Sequence, residues 1–174
     1  MRSAIEYARK SVAELLNATP GEIFFTSGGT EADNTFISCG IESYGLKHAI
    51  TSKIEHHAVL HTLENLERIG KIELSYVDLD EEGHIKIDHL EELLKSNDRS
   101  LVSLMHANNE IGNINNLDAI GVLAEEYDAI FHSDTVQTVG HYQHDLKNLK
   151  AQCIAGAAHK FHGQIGRASC RERV

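Results

Sequence analysis

Lys160 stands beside His159 in Ala157-Ala158-His159-Lys160-Phe161-His162-Gly163, after a short apolar run. An amine displayed from a strand end can form a Schiff base if its surroundings lower its pKa; a solvated surface lysine fits the same local sequence. Asp134 follows Ile130-Phe131-His132-Ser133, which places a carboxylate at the end of a buried strand. A charge there costs free energy unless paired, and a protonated pyridine nitrogen would pair with it while becoming a better electron sink. Ser27-Gly28-Gly29-Thr30 offers a third element. At a strand-to-helix turn it presents bare backbone N–H groups, a hydroxyl and the positive end of a helix to a phosphate. Two glycines are also ordinary turn chemistry, and the segment is neither a Walker loop nor a GxGxxG fingerprint.

These residues need elements to hold them. Ile5, Ala8, Val12, Leu15 and Leu16 recur at helical spacing until Pro20-Gly21 interrupts, so a helix over 3–16 is expected. Strands are expected over 22–26, 49–51, 73–77, 100–106, 129–132 and 152–157. Helices are expected from about Glu31, then over 59–69, 87–94 and 117–126. Strands alternating with helices of this length require crossover connections, hence a mostly parallel sheet between two helical layers, a three-layer αβα, α/β fold. Ligands of such sheets gather at the carboxyl ends of the strands. Gly28–Thr30, Glu55-His56, Asn108-Asn109-Glu110, Asp134 and His159-Lys160 all fall there, so one cleft can receive them.

The chain has 174 residues, a hydrophobic fraction of 41% and a formal charge of -10. That suits a single packed domain and argues against nucleic-acid or anionic-membrane partners, which require clustered Lys and Arg. No apolar run approaches the roughly 20 residues that span a bilayer, and the N-terminus has no apolar signal region. A cytoplasmic setting is expected. Three cysteines, Cys39, Cys153 and Cys170, show no paired spacing, so neither a disulfide framework nor a zinc site is indicated; Cys39 and Cys153, among apolar neighbours, are expected to be buried. Of the 12 histidines, His56, His57 and His61 form only a loose pair at helical spacing, and no metal is expected. His57, His61 and His162 are assigned to surface or packing, and Asp78–Gly83 to a solvated turn.

Five ordered segments carry a more specific resemblance: Ser27–Asn34, Glu55–Leu60, His106–Gly112, His132–Gly140 and Ala158–Gly163. As a set they resemble the successive motifs of cysteine desulfurases, within the aminotransferase class V branch of fold-type I pyridoxal-phosphate enzymes. The resemblance implies that Lys160 carries pyridoxal 5'-phosphate, that Asp134 pairs with its ring nitrogen and that His56 stacks on the ring and exchanges a proton with the substrate thiol. Gly29, Thr30 and His159 would hold the phosphate, and Asn109 and Gln137 would bond near the phenolic oxygen. The implied reaction converts L-cysteine to L-alanine and passes sulfur to an enzyme cysteine as a persulfide, for iron–sulfur assembly or other transfer. The implied parent is a homodimer that hands sulfur to an acceptor protein.

The resemblance also implies missing parts. Family members are more than twice as long, with a preceding segment, a final large-domain strand, a small domain bearing a substrate-carboxylate arginine, and a loop carrying the persulfide cysteine. Residues 1–163 therefore read as an incomplete pyridoxal-phosphate-binding large domain, without activity of its own. Ala157 stands where the family often has a hydroxyl. Gln164 to Val174 departs abruptly from the family, and Ile165 to Val174 corresponds to translation of a short-read sequencing adapter; Cys170 is accordingly not the nucleophile, despite nearby arginines. Selenocysteine lyase or another class V enzyme is the nearest rival, and a non-catalytic binding or scaffold protein on the same fold is the rival from another class.

Overall fold

Short β-prone runs and longer amphipathic segments alternate along this chain, and in the computed structural model each becomes the element its periodicity specifies. Residues 2–162 and 168–171 are described. In order they form α1 (Arg2–Leu15), β1 (Ile23–Thr26), α2 (Gly29–Ser43), β2 (His48–Thr51), α3 (His57–Arg68), β3 (Glu73–Tyr76), α4 (Ile87–Ser96), β4 (Ser100–Ser103), α5 (Leu117–Glu126), β5 (Ile130–Asp134), β6 (Cys153–Ala157) and β7 (Ala168–Arg171). A 3-10 turn, Pro20–Glu22, leads into β1; another, Ala158–Phe161, follows β6.

The sheet order is β1-β7-β6-β5-β4-β2-β3. β3, β2, β4, β5 and β6 are parallel neighbours, joined by long crossovers, helical except between β5 and β6. β7 runs antiparallel to both β6 and β1, so β1 points the same way as the other five. The carboxyl ends of six strands thus share one edge of the sheet. The expectation that no strand follows β6 is corrected by β7: a ladder is made by backbone N–H and C=O groups, so an extended stretch can fill the slot with little demand on its side chains. The rest of the expected tail, residues 164–167 and 172–174, lies outside the described residues.

Strand alternation divides the core in two. Ile50, Val102, Phe131 and Ile154 face a cluster that includes Ala13 of α1, Leu90 of α4 and Ile120 of α5. Their neighbours Ala49, Leu101, Ile130 and Cys153 face a second cluster built on Phe36, Ile37 and Ile41 of α2 and Val59, Leu63 and Leu66 of α3. Since successive strand side chains point to opposite faces, His132 and Asp134 lie with Ile130 on the α2 side. Cys153 is buried, but Cys39 is exposed, against expectation. It falls just outside the buried stripe Ala32, Asp33, Phe36, Ile37, Gly40 and Ile41, beside an outward groove with Phe24, Phe25 and Thr35.

Two loop details matter for the site. β4 stops at Ser103 rather than at His106, yet Leu104 N and His106 N still donate to His132 O and Asp134 O at 3.1 and 3.0 Å. The expected solvated turn forms at Asp80, whose Oδ1 accepts from Glu82 N and His84 N at 2.9 and 2.8 Å.

Candidate active site

The turn between β1 and α2 is built by local bonds. Thr26 Oγ1 donates to Gly28 O at 3.0 Å, and the Glu31 carboxylate accepts from Ser27 N. Bonds from the Ser27 hydroxyl and backbone hold Glu31 below the ordinary carboxylate range, which favours a structural, helix-starting role for this acid. Thr30 is exposed on the first turn of α2. Gly29 permits a close approach: a Cβ there would sit 3.1 Å from Val136 Cγ2 and 3.8 Å from Ala157 Cβ. The helix start is thereby pressed against the segment that follows Asp134.

After β2, Glu55 turns inward. Its Oε1 accepts from Ser52 Oγ at 2.8 Å and from Met105 N at 3.0 Å, tying the β2 and β4 loops together. Burial foremost raises its pKa to about 8, opposed by those hydrogen bonds and reinforced by Asp134 and Asp33, so it is chiefly protonated at neutral pH. His56 then caps α3, its Nδ1 accepting from Ala58 N at 3.1 Å. An accepting Nδ1 places the neutral ring's proton on Nε2. His56 and Thr30 line one cavity of about 520 Å³, together with Asn34, His57 and His61. The His57 and His61 rings stack at 4.8 Å, and among the described residues no group of three or more His, Cys, Asp or Glu is arranged to hold a metal.

The β4 loop is fixed by Asn108, which donates to Ile54 O at 2.6 Å and accepts from Glu110 N and Ile111 N at 2.7 and 3.0 Å. Asn109, next to it, is left exposed. Asp134 ends β5 at 6% exposure, and its Oδ1 accepts from Val136 N at 2.8 Å. Burial and then Asp33 raise its pKa to about 7, against the Val136 bond and the attraction of His132 and His56. Gln137 lies half-buried in the turn closed by Thr138 N and Val139 N donating to Thr135 O, each at 2.9 Å. His159 and Lys160 are exposed on the 3-10 turn after β6, where His141 Nε2 donates to Lys160 O at 2.8 Å.

All eight residues singled out from the sequence, Gly29, Thr30, His56, Asn109, Asp134, Gln137, His159 and Lys160, thus lie at the carboxyl edge of the sheet. Their contacts differ. Thr30 and His56 share a cavity, His56 is close enough to Asp134 to stabilise its charge, and Gly29 packs beside Val136. Among the described residues no hydrogen bond or ion pair joins Lys160, His159, Asn109 or Gln137 directly to Asp134.

Sequence reasoning passed over a buried polar column on the same face. Asp33 Oδ1 lies 3.3 Å from His132 Nε2, with side-chain exposures of 1% and 0%, and His132 Nδ1 is 2.9 Å from Ser103 Oγ. The signal was present. Asp33 falls in the buried stripe of α2, and Ser103 and His132 fall on the inward alternation of their strands.

Comparison with known proteins follows the same architecture. The family described as Aminotransferase class-V matches residues 1–168. Cysteine desulfurase IscS of Dictyoglomus turgidum (strain DSM 6724 / Z-1310) is 45% identical over 168 residues, covering 95% of this chain and 42% of that protein. The protein of the same name from Vibrio vulnificus (strain YJ016) is 46% identical over 165 residues, covering 94% and 40%. Among solved structures, a NifS-like protein superposes with TM-score 0.90 at 36% identity, covering 97% of this chain and 47% of that one. SspA in complex with cysteine gives 0.92 at 33%, covering 98% and 49%. The chain therefore spans less than half the length of these relatives, and with its parallel sheet, its residue order and its matched positions in agreement, it belongs to the aminotransferase class-V family.

Proposed function

We propose that this chain is the large-domain part of a pyridoxal-5'-phosphate-dependent cysteine desulfurase. The observation that supports it most is Asp134: a carboxyl buried at the edge where the α2 start and His56 also converge, its pKa pushed up to about 7 by burial and by Asp33. A protonated pyridine nitrogen is a partner of the right charge, and Thr30 with the positive end of the 15-residue helix α2 suits a phosphate. The residues present therefore fit the group. When bound, pyridoxal phosphate supplies an electron sink for the α-carbon of an amino acid.

The chain's own residues divide the remaining work. Asp134 would hold the proton on the ring nitrogen. Gly29, Thr30 and His159 would bind the phosphate, and Asn109 and Gln137 would hold the ring. Lys160 would anchor the cofactor and move protons at the substrate α-carbon. His56 is the residue that would exchange a proton with the substrate thiol. In the whole protein the substrate is L-cysteine, the products are L-alanine and a persulfide on an enzyme cysteine, and a sulfur-acceptor protein receives the sulfur for iron–sulfur assembly. Two relatives are named cysteine desulfurase IscS, and one structural neighbour is described in complex with cysteine; both support this substrate. On the same reading the whole protein is a cytoplasmic homodimer, and residues 164–174 are a non-native tail, which sequencing of the source locus tests.

Adding pyridoxal phosphate to the purified chain should produce a visible absorbance band that Lys160→Ala removes without changing the unfolding midpoint. Identical spectra from the two proteins would overturn cofactor binding through Lys160. The whole protein should release L-alanine from L-cysteine, and failure to do so with cofactor bound would overturn the substrate.

A further inference from the structure

The column Asp33, His132 and Ser103 is shut away beneath the proposed ring site, and none of its members has a part in the reaction just described. Its geometry limits its charge. Asp33 Oδ1 and His132 Nε2 are 3.3 Å apart, and among the described residues neither atom has a hydrogen-bond partner other than what a proton placed between them would supply. The other imidazole nitrogen meets Ser103 Oγ at 2.9 Å, and the ring stacks on Phe36 with centroids 5.3 Å apart and planes inclined by 19°. A buried carboxylate facing an imidazolium would need further donors around its oxygens to offset the loss of water, and Oδ1 receives none from the described residues.

We infer that Asp33 is a positioning residue that acts as a carboxylic acid. It donates its proton's hydrogen bond to His132 Nε2, which fixes the imidazole proton on Nδ1 for Ser103 Oγ and leaves Asp134 as the only anionic carboxyl beneath the ring. The last clause rests on the proposed function; the hydrogen-bond direction does not.

The groups facing this column come from three elements: Asp33 from α2, Glu55 and His56 from the β2–α3 connection, and His132 and Asp134 from β5. Three carboxyls here act on one another, so ionising one disfavours ionising the next. Burial raises the pKa of Asp33 to about 8 and lowers that of His132 to about 4, in keeping with a neutral pair at pH 7. Asp134 accepts a backbone N–H bond from Val136 and has the ring site beside it. A neutral column spares Asp134 a second negative charge close by, so the pyridine proton is shared with one acid only.

The test begins without cofactor. In the chain labelled with ¹⁵N-histidine, His132 should show an unprotonated Nε2 and a protonated Nδ1 from pH 5.5 to 7. Asp33→Asn, whose amide N–H donates in place of the acid, should keep that tautomer and leave the unfolding temperature within about 2 °C of the parent, whereas Asp33→Ala should lower it by roughly 5 °C or more. An imidazolium, a proton on Nε2, or an Asp33→Asn loss as large as that of Asp33→Ala overturns the inference, whether or not pyridoxal phosphate binds. With pyridoxal phosphate added, ¹³C-carboxyl spectra should show Asp33 still protonated at pH 7 and Asp134 ionised; an ionised Asp33 overturns the second clause. Should the absorbance band of Lys160 fail to form, the proposed function falls while the histidine spectra still decide the hydrogen-bond direction.

Discussion

The two faces of the sheet are made by the same strands and do different things. On one face Ile50, Val102, Phe131 and Ile154 meet α1, α4 and α5 in an apolar packing layer. On the other, apolar residues hold α2 and α3 only toward the strand starts, and toward the strand ends they give way to Ser103, His132 and Asp134, with Asp33 and Glu55 arriving from outside the strands. A period of two thus lets one strand serve stability and chemistry independently: Phe131 and His132 are neighbours in sequence and opposite in purpose. The apolar face should tolerate pH and resist truncation poorly. The polar face should do the reverse.

Truncating the apolar face should give the largest effect. Phe131 is wholly buried, and Phe131→Ala removes its ring and leaves a cavity, which costs about 3–5 kcal/mol. Urea unfolding of the chain measures it, and the loss should be equal at pH 6.5 and pH 8. A loss under about 1 kcal/mol would show that this face is not the continuous packed layer described here.

The polar face should instead make stability depend on pH. Asp33, Glu55 and Asp134 have folded-state pKa values raised to about 8, 8 and 7, well above those of free carboxyls. The folded chain therefore holds protons that the unfolded chain has released, and stability falls as pH rises through that range. His106 and His132, lowered to about 4 mainly by burial, act in the opposite sense, but their contribution ends near pH 6.5, where the unfolded histidines have lost their protons. Between about pH 6.5 and 8 the carboxyls act alone, and stability should fall by roughly 1.4 kcal/mol per pH unit for each group still protonated. Glu55→Gln should remove one group's share of that slope. Urea midpoints that rise from pH 6.5 to 8 would refute the buried acids as neutral groups. Bound cofactor should remove the share of Asp134, because a cationic ring favours its anion.

The same contrast explains what could be read from the sequence. Every strand and helix up to β6 was legible because apolar periodicity is repeated over several residues, and the dry face is nothing but periodicity. The positions of Gly29, Thr30, His56, Asp134 and Lys160 at the carboxyl edge followed from the parallel topology, which local patterns imply. The polar column was harder to see. Asp33 reads as one more acid near a helix start until α2 is packed on β5, and its partners His132 and Ser103 come from strands 70 or more residues away in the chain. β7 was missed for a different reason: backbone pairing fills that slot, and Ala168–Arg171 carries no strand pattern to announce it. Cys39 was misjudged because a single position just beyond a buried stripe is decided by the exact helix rotation, which pattern alone leaves loose.

The smallest predicted effect lies where the two faces meet the site. A Cβ on Gly29 would stand 3.1 Å from Val136 Cγ2, close enough that one of them must give by a few tenths of an ångström. Gly29 is helical and pays no positive-φ penalty, and alanine favours a helix by up to about 1 kcal/mol relative to glycine. Gly29→Ala should therefore change stability by less than about 1 kcal/mol, the helix gain offsetting the contact. Its consequence should appear in function, because the start of α2 and the segment after Asp134 would be moved apart. The expected outcome is weaker binding of pyridoxal phosphate with an unchanged urea midpoint, measured by titration of the visible band. A loss above about 2 kcal/mol would place Gly29 in the packing layer, and unchanged affinity would show that close packing of α2 on Val136 does not shape the phosphate site.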